Sequence, residues 1–224
     1  MKLSNLEKQA SSLGRRYYTL QLVFNLFKSL RASSIVQVGC QSRDSEYANF
    51  DLFQIFAELN EKKKKSIYKI YCNIKDNKKR VEEIQKEIYK NYSEDKIQIK
   101  ELDEYNKDSI KYIDLLILND INYPINELTK EVSKELNYLE ARNLLSSFSE
   151  KEINARFGGL IDSCREKMLF DYKTFKSRLS RSAIVLLEGE DYPGGSQTLL
   201  VKRQLESDGF ICLLNLKQSI WIRR

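Results

Sequence analysis

Histidine is absent from the 224-residue sequence, and its absence limits the chemistry that the chain can perform. Histidine is the side chain that most often acts as a general base or binds a metal ion near neutral pH. Without it, a serine or cysteine nucleophile has no imidazole to activate it. The sequence therefore argues against most hydrolase mechanisms and leaves proton transfer to carboxylates or lysines.

Paired cysteines are also missing. The four cysteines are far apart, and none belongs to a C-x-x-C motif: Cys40, Cys72, Cys164 and Cys212. Three of them lie in or beside apolar segments, where a free thiol packs as a small hydrophobic group. We therefore expect buried free thiols, and neither disulfides nor a cysteine zinc site.

Long apolar segments are the third absence. No segment is long enough to cross a bilayer, and the first residues, MKLSNLEKQASSLGRR, lack the apolar core of a secretion signal. Hydrophobic residues make up 42% of the chain and charged residues 31%, which is typical of a folded protein. These features predict one domain over residues 1–224 that is cytoplasmic and has no membrane partner.

The charge of the chain is modestly positive. The net charge is +6, and much of the excess lies in Lys62–Lys65 and Lys78–Arg80. A solvated turn or helix face explains such clusters, and a patch that binds nucleic acid is the alternative. The alternation of aromatic and basic residues found in RNA-binding proteins does not accompany them. We therefore expect no nucleic-acid partner.

Short apolar segments rich in β-branched residues alternate with segments of helical spacing, a pattern typical of an α/β fold. The predicted strands are Ser34–Gly39, Ile67–Cys72, Ile97–Leu102, Ile113–Leu118 and Ala183–Leu187. A helix between two successive strands returns the chain to the same end of the sheet in a right-handed crossover, so these strands should be parallel. The short turn between Phe210–Leu214 and Ser219–Ile222 requires an antiparallel hairpin. The prediction is a mostly parallel, seven-stranded sheet with helices on both faces.

Two helical regions lie outside this strand pattern. An N-terminal helical segment covers residues 1–32, and a helical insert over residues 125–181 separates the fourth strand from the fifth. Within the insert, Ser149 and Glu152 predict a capping box, and Gly158-Gly159 should interrupt the helix, which resumes over Cys164–Leu179. The insert is either a lid or acceptor-binding element or a homodimer surface, and the sequence leaves both open.

The ends of three predicted strands carry motifs of a known family. They are Val36-Gln37-Val38-Gly39, then Ile113–Leu118 followed by Asn119-Asp120, and Ile184–Leu187 followed by an acidic loop and Pro193-Gly194. Over residues 34–120 and 183–224 the chain resembles the class I S-adenosylmethionine-dependent methyltransferases, whose Rossmann-like sheet ends in such a hairpin. The acidic loop is most similar to that of sugar- and macrocin-type O-methyltransferases.

The resemblance implies a site for S-adenosylmethionine where the carboxyl ends of the parallel strands converge. The methionine part would lie near Gly39 and Asn119, and the adenine near Leu102 and Asp103. Asn73 has the place of the residue that binds the ribose hydroxyls. The donor-binding residues implied in this way are Gly39, Cys40, Gln41, Ser42, Asn73, Leu102, Asp103 and Asn119.

Acidic residues suggest how the acceptor would be activated. Asp120, Glu190 and Asp191, together with Glu188, could bind Mg²⁺ or another divalent cation through oxygen ligands. The alternative is that these acids face solvent and cap the following helix. Asp191 and Glu190 are the candidate catalytic residues that would accept a proton, and a lysine such as Lys202 is a further candidate.

Two functions from different classes follow. The first is S-adenosylmethionine-dependent O-methylation of a sugar or another small-molecule acceptor. The second is a binding or scaffold protein that keeps the fold and has lost the donor site. It is favoured by the single glycine in Gly39–Asp44 and by Asn73 and Asn119, where the family carries acids. A different nucleotide-binding enzyme is a third interpretation, and the terminal hairpin argues against it.

Overall fold

The computed structural model describes seven strands that form one mixed sheet in the order β3-β2-β1-β4-β5-β7-β6. The described residues are 33–39, 67–72, 97–107, 110–118, 149–188, 198–215 and 218–223, with separate positions between 22 and 29 and between 78 and 95. The strands are β1 (Ser34–Val38), β2 (Ile67–Cys72), β3 (Ile97–Glu101), β4 (Ile113–Leu118), β5 (Leu179–Glu188), β6 (Phe210–Asn215) and β7 (Gln218–Arg223).

The strand directions agree with the prediction. Strands β1 to β5 pair with their neighbours in parallel. Strand β7 is antiparallel to both β5 and β6, so that six strands run one way and β7 runs the other. The α/β, Rossmann-like sheet with a terminal antiparallel hairpin is therefore confirmed, since a short turn cannot return the chain in parallel.

The central strands are buried on both faces, as expected for a parallel sheet covered by helices. Leu115–Leu118 of β4 and Ala183–Leu187 of β5 have almost no exposed surface. Their register is level: Val38 lies opposite both Tyr71 and Leu118, and Leu118 lies opposite Leu187. The carboxyl ends of β2, β1, β4 and β5 therefore lie together at one edge of the sheet.

Among the described residues, two α-helices and one short helix pack on the same face of this sheet. Helix α1 is Glu150–Lys176, helix α2 is Leu199–Ser207, and a 3-10 helix covers Leu102–Lys107. The helices contribute Tyr105, Met168, Tyr172, Phe175, Val201 and Leu205 to a core whose sheet residues include Val36, Val38, Leu116, Val185 and Trp221. None of the helices described is both long enough and apolar enough to cross a membrane.

Helix α1 begins at the predicted capping box and then departs from the prediction. The Ser149 hydroxyl accepts from the Glu152 N–H at 3.3 Å, and the Glu152 carboxylate accepts from the Ser149 N–H at 2.8 Å. The predicted interruption at Gly158-Gly159 is wrong, because the helix continues through both residues. Each glycine costs a helix only about 1 kcal/mol, and the packing of Met168 and Phe175 outweighs that cost.

Smaller differences concern where elements begin and end. Leu102 begins the 3-10 helix and does not extend β3. The predicted helix over Cys164–Leu179 ends early, at Lys176, and β5 begins at Leu179 because Ile113 of β4 pairs with it. Cys212 is not part of a disulfide, and it is half-buried where the sequence predicted a buried thiol; its thiol donates to the Leu214 carbonyl at 3.2 Å. Three predictions concern residues outside the described ones. They are the first part of the helical insert, over 125–148, most of the N-terminal helical segment over 1–32, and the single domain over 1–224.

Candidate functional site

Gly39 lies at the point in the sheet where the chain connections diverge. Strand β1 is central, and the chain goes from β1 to β2 on one side, whereas β4 leads to β5 on the other. Ligands of open parallel sheets bind at such a switch point, beyond the carboxyl ends of the strands. Gly39 has φ +96°, a conformation that side chains disfavour, and its N–H donates to the Tyr71 carbonyl at 2.9 Å. Strand β1 therefore leads into a glycine whose positive φ turns the backbone at Gly39 itself.

The Gly39 turn is bonded to a buried polar side chain of β1. Gln37 is 1% exposed, and its Nε2 donates to the Gly39 carbonyl at 3.0 Å. The Tyr68 hydroxyl of β2 donates to Gln37 Oε1. Gln37 was not predicted from the sequence as a site residue, although a polar residue between two valines, two positions before a glycine, was a usable signal.

The predicted adenine-binding residues lie at the same edge, two strands away from β1. Glu101, the last residue of β3, lies opposite Cys72, the last residue of β2. Leu102 and Asp103 follow directly in the first turn of the 3-10 helix, and Asp103 is exposed. The structure thus brings Gly39 and the Leu102–Asp103 segment to one edge, which we call the carboxyl edge and define by Gly39, Leu102–Asp103, Leu118 and Glu188.

Tyr105 anchors the 3-10 helix and was not identified from the sequence. Its buried ring lies 4.1 Å from the Phe175 ring and 6.0 Å from the Tyr71 ring, and the Arg178 guanidinium lies 4.2 Å above it. Burial raises the pKa of the Tyr105 hydroxyl, and the charge of Arg178 and a hydrogen bond with Ser177 oppose that rise. These contacts attach the segment that begins at Leu102 to β2 and α1.

Most of the predicted site residues follow the carboxyl ends of β1, β2, β4 and β5 in the sequence. Cys40, Gln41, Ser42, Asn73, Asn119, Asp120, Glu190 and Asp191 lie outside the described residues. Asn119 directly follows Leu118, and Glu190 comes two positions after Glu188, so the strands that lead to them do end at the carboxyl edge. Within the part of the chain that the structure describes, no three acidic or cysteine side chains come together as metal ligands.

Lys202, the other candidate proton acceptor, lies far from β1. Its Nζ donates to Asn215 Oδ1 of β6 at 2.8 Å. Strand β6 is four positions from β1 in the sheet, a separation of about 19 Å at the usual strand spacing of about 4.8 Å. The structure therefore does not bring Lys202 to the Gly39 turn.

The opposite edge of the sheet holds a different kind of polar structure. We call it the amino edge and define it by Ser33–Ser34, Asp114, Tyr172, Lys176 and Asp208. The Asp114 carboxylate accepts from the backbone N–H groups of Ser33 and Ser34 at 2.8 and 3.1 Å. It thereby fixes the start of β1 against the start of β4.

Asp208 forms the second polar group of the amino edge. Its carboxylate accepts from Tyr172 at 2.8 Å, Lys176 at 2.5 Å and Gln204 at 3.1 Å. Burial raises the pKa of Asp208, but these hydrogen bonds outweigh burial and hold the pKa below its ordinary value. Burial, with the bond to Asp208 and its charge, raises the pKa of Tyr172 far above its usual range. This cluster joins α1 to α2 where β5 and β6 begin.

Comparison with known proteins gives a likeness of fold. No protein-family model matches the sequence, and no curated protein is significantly similar to it. A candidate caffeoyl-CoA O-methyltransferase from Staphylococcus aureus aligns over 100% of this chain and 93% of its own, with 11% identity and a TM-score of 0.53. A methyltransferase from Geobacter sulfurreducens aligns over 99% and 87%, with 12% identity and a TM-score of 0.48. The first comparison shows that the chain has a methyltransferase-like α/β fold.

Proposed function

We propose that the chain is an S-adenosylmethionine-dependent methyltransferase that binds its donor at the carboxyl edge. One observation carries the proposal: Gly39 turns the chain with φ +96° at the β1/β4 switch point of a methyltransferase-like sheet. A glycine in that conformation leaves no β-carbon between the backbone and a ligand, so that a donor can approach closely.

Different residues at this edge would bind different parts of the donor. Gly39, with Cys40, Gln41, Ser42 and Asn119, would bind its methionine part. Asn73 would bind the ribose hydroxyls through its side-chain amide, and Leu102 with the exposed Asp103 would border the adenine. Tyr105 supports this assignment because its contacts with Tyr71 and Phe175 fix the segment that carries Leu102 and Asp103.

When bound, S-adenosylmethionine supplies a methyl group on a positively charged sulfur. The chain has to orient the acceptor oxygen, exclude water and accept the proton of the acceptor. In this proposal Asp191 or Glu190 accepts that proton, since the sequence contains no histidine. Mg²⁺ or another divalent cation held by Asp120, Glu190 and Asp191 would make the acceptor hydroxyl more acidic.

The acceptor is proposed to be a hydroxyl of a sugar or another small molecule. The support is the acidic loop after β5 and the name of the Staphylococcus aureus neighbour, which refers to O-methylation. The homodimer through residues 125–181 and the cytoplasmic location likewise stay predictions from the sequence.

Binding of S-adenosylhomocysteine, measured by calorimetry, tests the donor site. We expect micromolar binding to the wild type and no binding to Gly39→Val. Gly209→Val is the matched control, because Gly209 also has a positive φ, of 82°, and lies at the amino edge. This variant should lose stability to the same backbone strain and still bind. No heat and no thermal shift at millimolar ligand would overturn the proposal and favour the scaffold protein.

The metal part of the proposal has a separate test. Mg²⁺ or Mn²⁺ should increase the methylation rate of a hydroxyl acceptor in the wild type and have no such effect in Asp191→Asn. Donor binding by Asp191→Asn should equal that of the wild type. A rate that is equal with chelator and with metal would remove the cation and leave the donor site standing.

A further inference from the structure

We propose that Gln37 is a positioning residue that fixes the Gly39 turn in the conformation that binds the donor. Its side chain links two strands and the turn: Tyr68 of β2 donates to it, and it donates to the Gly39 carbonyl. The proposal rests on the proposed function, because it gives the turn its geometry for that ligand.

The surroundings of Gln37 show why these bonds matter. Gln37 is 1% exposed, and its neighbours in the register are Ile70 of β2 and Ile117 of β4, which are also buried. An amide in such an apolar layer is strongly destabilising unless both of its ends have hydrogen-bond partners. The structure provides one partner for each end, so the amide is held in one orientation.

The chemistry of the partners fixes that orientation. The Gly39 carbonyl can only accept, so the amide nitrogen of Gln37 has to face it. The amide oxygen then faces Tyr68, whose hydroxyl donates to it. A leucine at this position would make neither bond, and an ionised glutamate would place a second acceptor against the carbonyl. Glutamine has both the donor and the acceptor that the arrangement requires.

These bonds act on the two peptide groups that flank the Gly39 Cα. The N–H of Gly39 is fixed by the Tyr71 carbonyl at 2.9 Å, and its carbonyl is fixed by Gln37 at 3.0 Å. Glycine has a wide range of allowed backbone angles, so both bonds are needed to select one. Without Gln37, donor binding would have to order the turn as well, and affinity would fall.

Two variants separate the effect of the Gln37–Gly39 hydrogen bond from the effect of the Tyr68–Gln37 hydrogen bond. The double variant Gln37→Leu with Tyr68→Phe removes both hydrogen bonds and leaves no buried hydroxyl behind. Tyr68→Phe alone keeps the bond to Gly39. We expect S-adenosylhomocysteine to bind about tenfold more weakly to the double variant and within about twofold of the wild type to Tyr68→Phe. Thermal unfolding of both shows whether each is folded.

Gln37→Glu provides a rescue that a purely structural role would not produce. The new carboxyl is buried, so it is protonated more readily than an exposed one, and its protonated form can donate to the Gly39 carbonyl. Affinity for S-adenosylhomocysteine should therefore increase for this variant between about pH 8 and about pH 5. The wild type and the double variant should show no such increase.

Hydrogen exchange at the Gly39 amide reports on the turn without any ligand. We expect exchange about tenfold faster in the double variant than in the wild type and Tyr68→Phe.

If the wild type binds the ligand and the folded double variant binds equally well, the role of Gln37 is wrong and the proposed function stands. If the wild type does not bind, the proposed function is wrong, and unchanged exchange at Gly39 would overturn the role of Gln37 as well. Should the double variant not fold, a pH-independent affinity of Gln37→Glu overturns the role.

Discussion

The two edges of the sheet use polar side chains for different purposes. At the amino edge, Asp114 and Asp208 accept several hydrogen bonds each, and the bonds join the beginnings of strands and the ends of helices. At the carboxyl edge, Gln37 bonds to the backbone of a glycine whose conformation disfavours a side chain. The sheet thus has stabilising polar clusters at its amino edge and the Gly39 turn, held by hydrogen bonds, at its carboxyl edge. We expect substitutions at the amino edge to change stability, and substitutions at the carboxyl edge to change ligand binding.

A substitution at Tyr105 should change both stability and ligand binding, because Tyr105 links the carboxyl-edge segment to α1. Tyr105→Ala removes a 5%-exposed ring that contacts Phe175, Tyr71 and Arg178. We expect the free energy of unfolding in urea to fall by about 3–4 kcal/mol and S-adenosylhomocysteine to bind more weakly. Tyr105→Phe keeps the ring and should lose less than about 1 kcal/mol. A Tyr105→Ala protein with unchanged affinity would show that the 3-10 helix does not border the donor.

Asp208→Ala should have the next largest effect on the free energy of unfolding. Because Asp208 lies at the amino edge, the substitution should not change donor binding. Three donors lose their acceptor, one of them the charged Lys176, at a side chain that is 8% exposed. We expect unfolding to require about 3 kcal/mol less, with donor affinity unchanged at a temperature where the variant is folded. Asp208→Asn, which retains one acceptor oxygen, should lose less. A clear loss of donor affinity in either variant would contradict the separation of the two edges.

Asp114→Ala tests the other polar group of the amino edge. The backbone N–H groups of Ser33 and Ser34 would lose their shared acceptor, and we expect a loss of about 2 kcal/mol in urea unfolding. Asp114→Asn can still accept one of these bonds and should lie between the alanine variant and the wild type. If the alanine variant is as stable as the wild type, Asp114 does not fix the start of β1.

The smallest effect concerns pH. Because the folded-state pKa of Asp208 is below its ordinary value, its contribution to stability is complete above about pH 4, the unfolded value, and is lost as the pH falls through the folded value. The stability difference between the wild type and Asp208→Asn should therefore shrink on acidification. Urea unfolding at several pH values measures it. A difference that grows at low pH would have the wrong sign.

The sheet was predictable from sequence because its strands carry their signal locally. Leu115–Leu118 and Ile184–Leu187 are continuous apolar runs, as a strand buried on both faces requires. The short turn before β7 was enough to predict its reversed direction. The capping box at Ser149 is likewise a pattern of neighbouring residues.

The contacts that shape the site were not predictable, since they join residues far apart in the chain. Tyr105 meets Phe175 and Arg178 across about 70 positions, and Gln37 meets Tyr68 across 31. Gly158-Gly159 misled the local interpretation because tertiary packing of α1 overrides their low helix propensity. Lys202 was placed among the candidates by its residue type, and the strand order then put it beside β6.

Hydrogen exchange with and without S-adenosylhomocysteine tests the central claim, that one edge of the sheet binds the donor and the other does not. We expect the ligand to slow exchange at Gly39 and in the segment that begins at Leu102. Exchange around Asp114, and around Asp208 and Gly209, should be the same with and without ligand. Protection at the amino edge, or none at the carboxyl edge when ligand is saturating, would contradict this account.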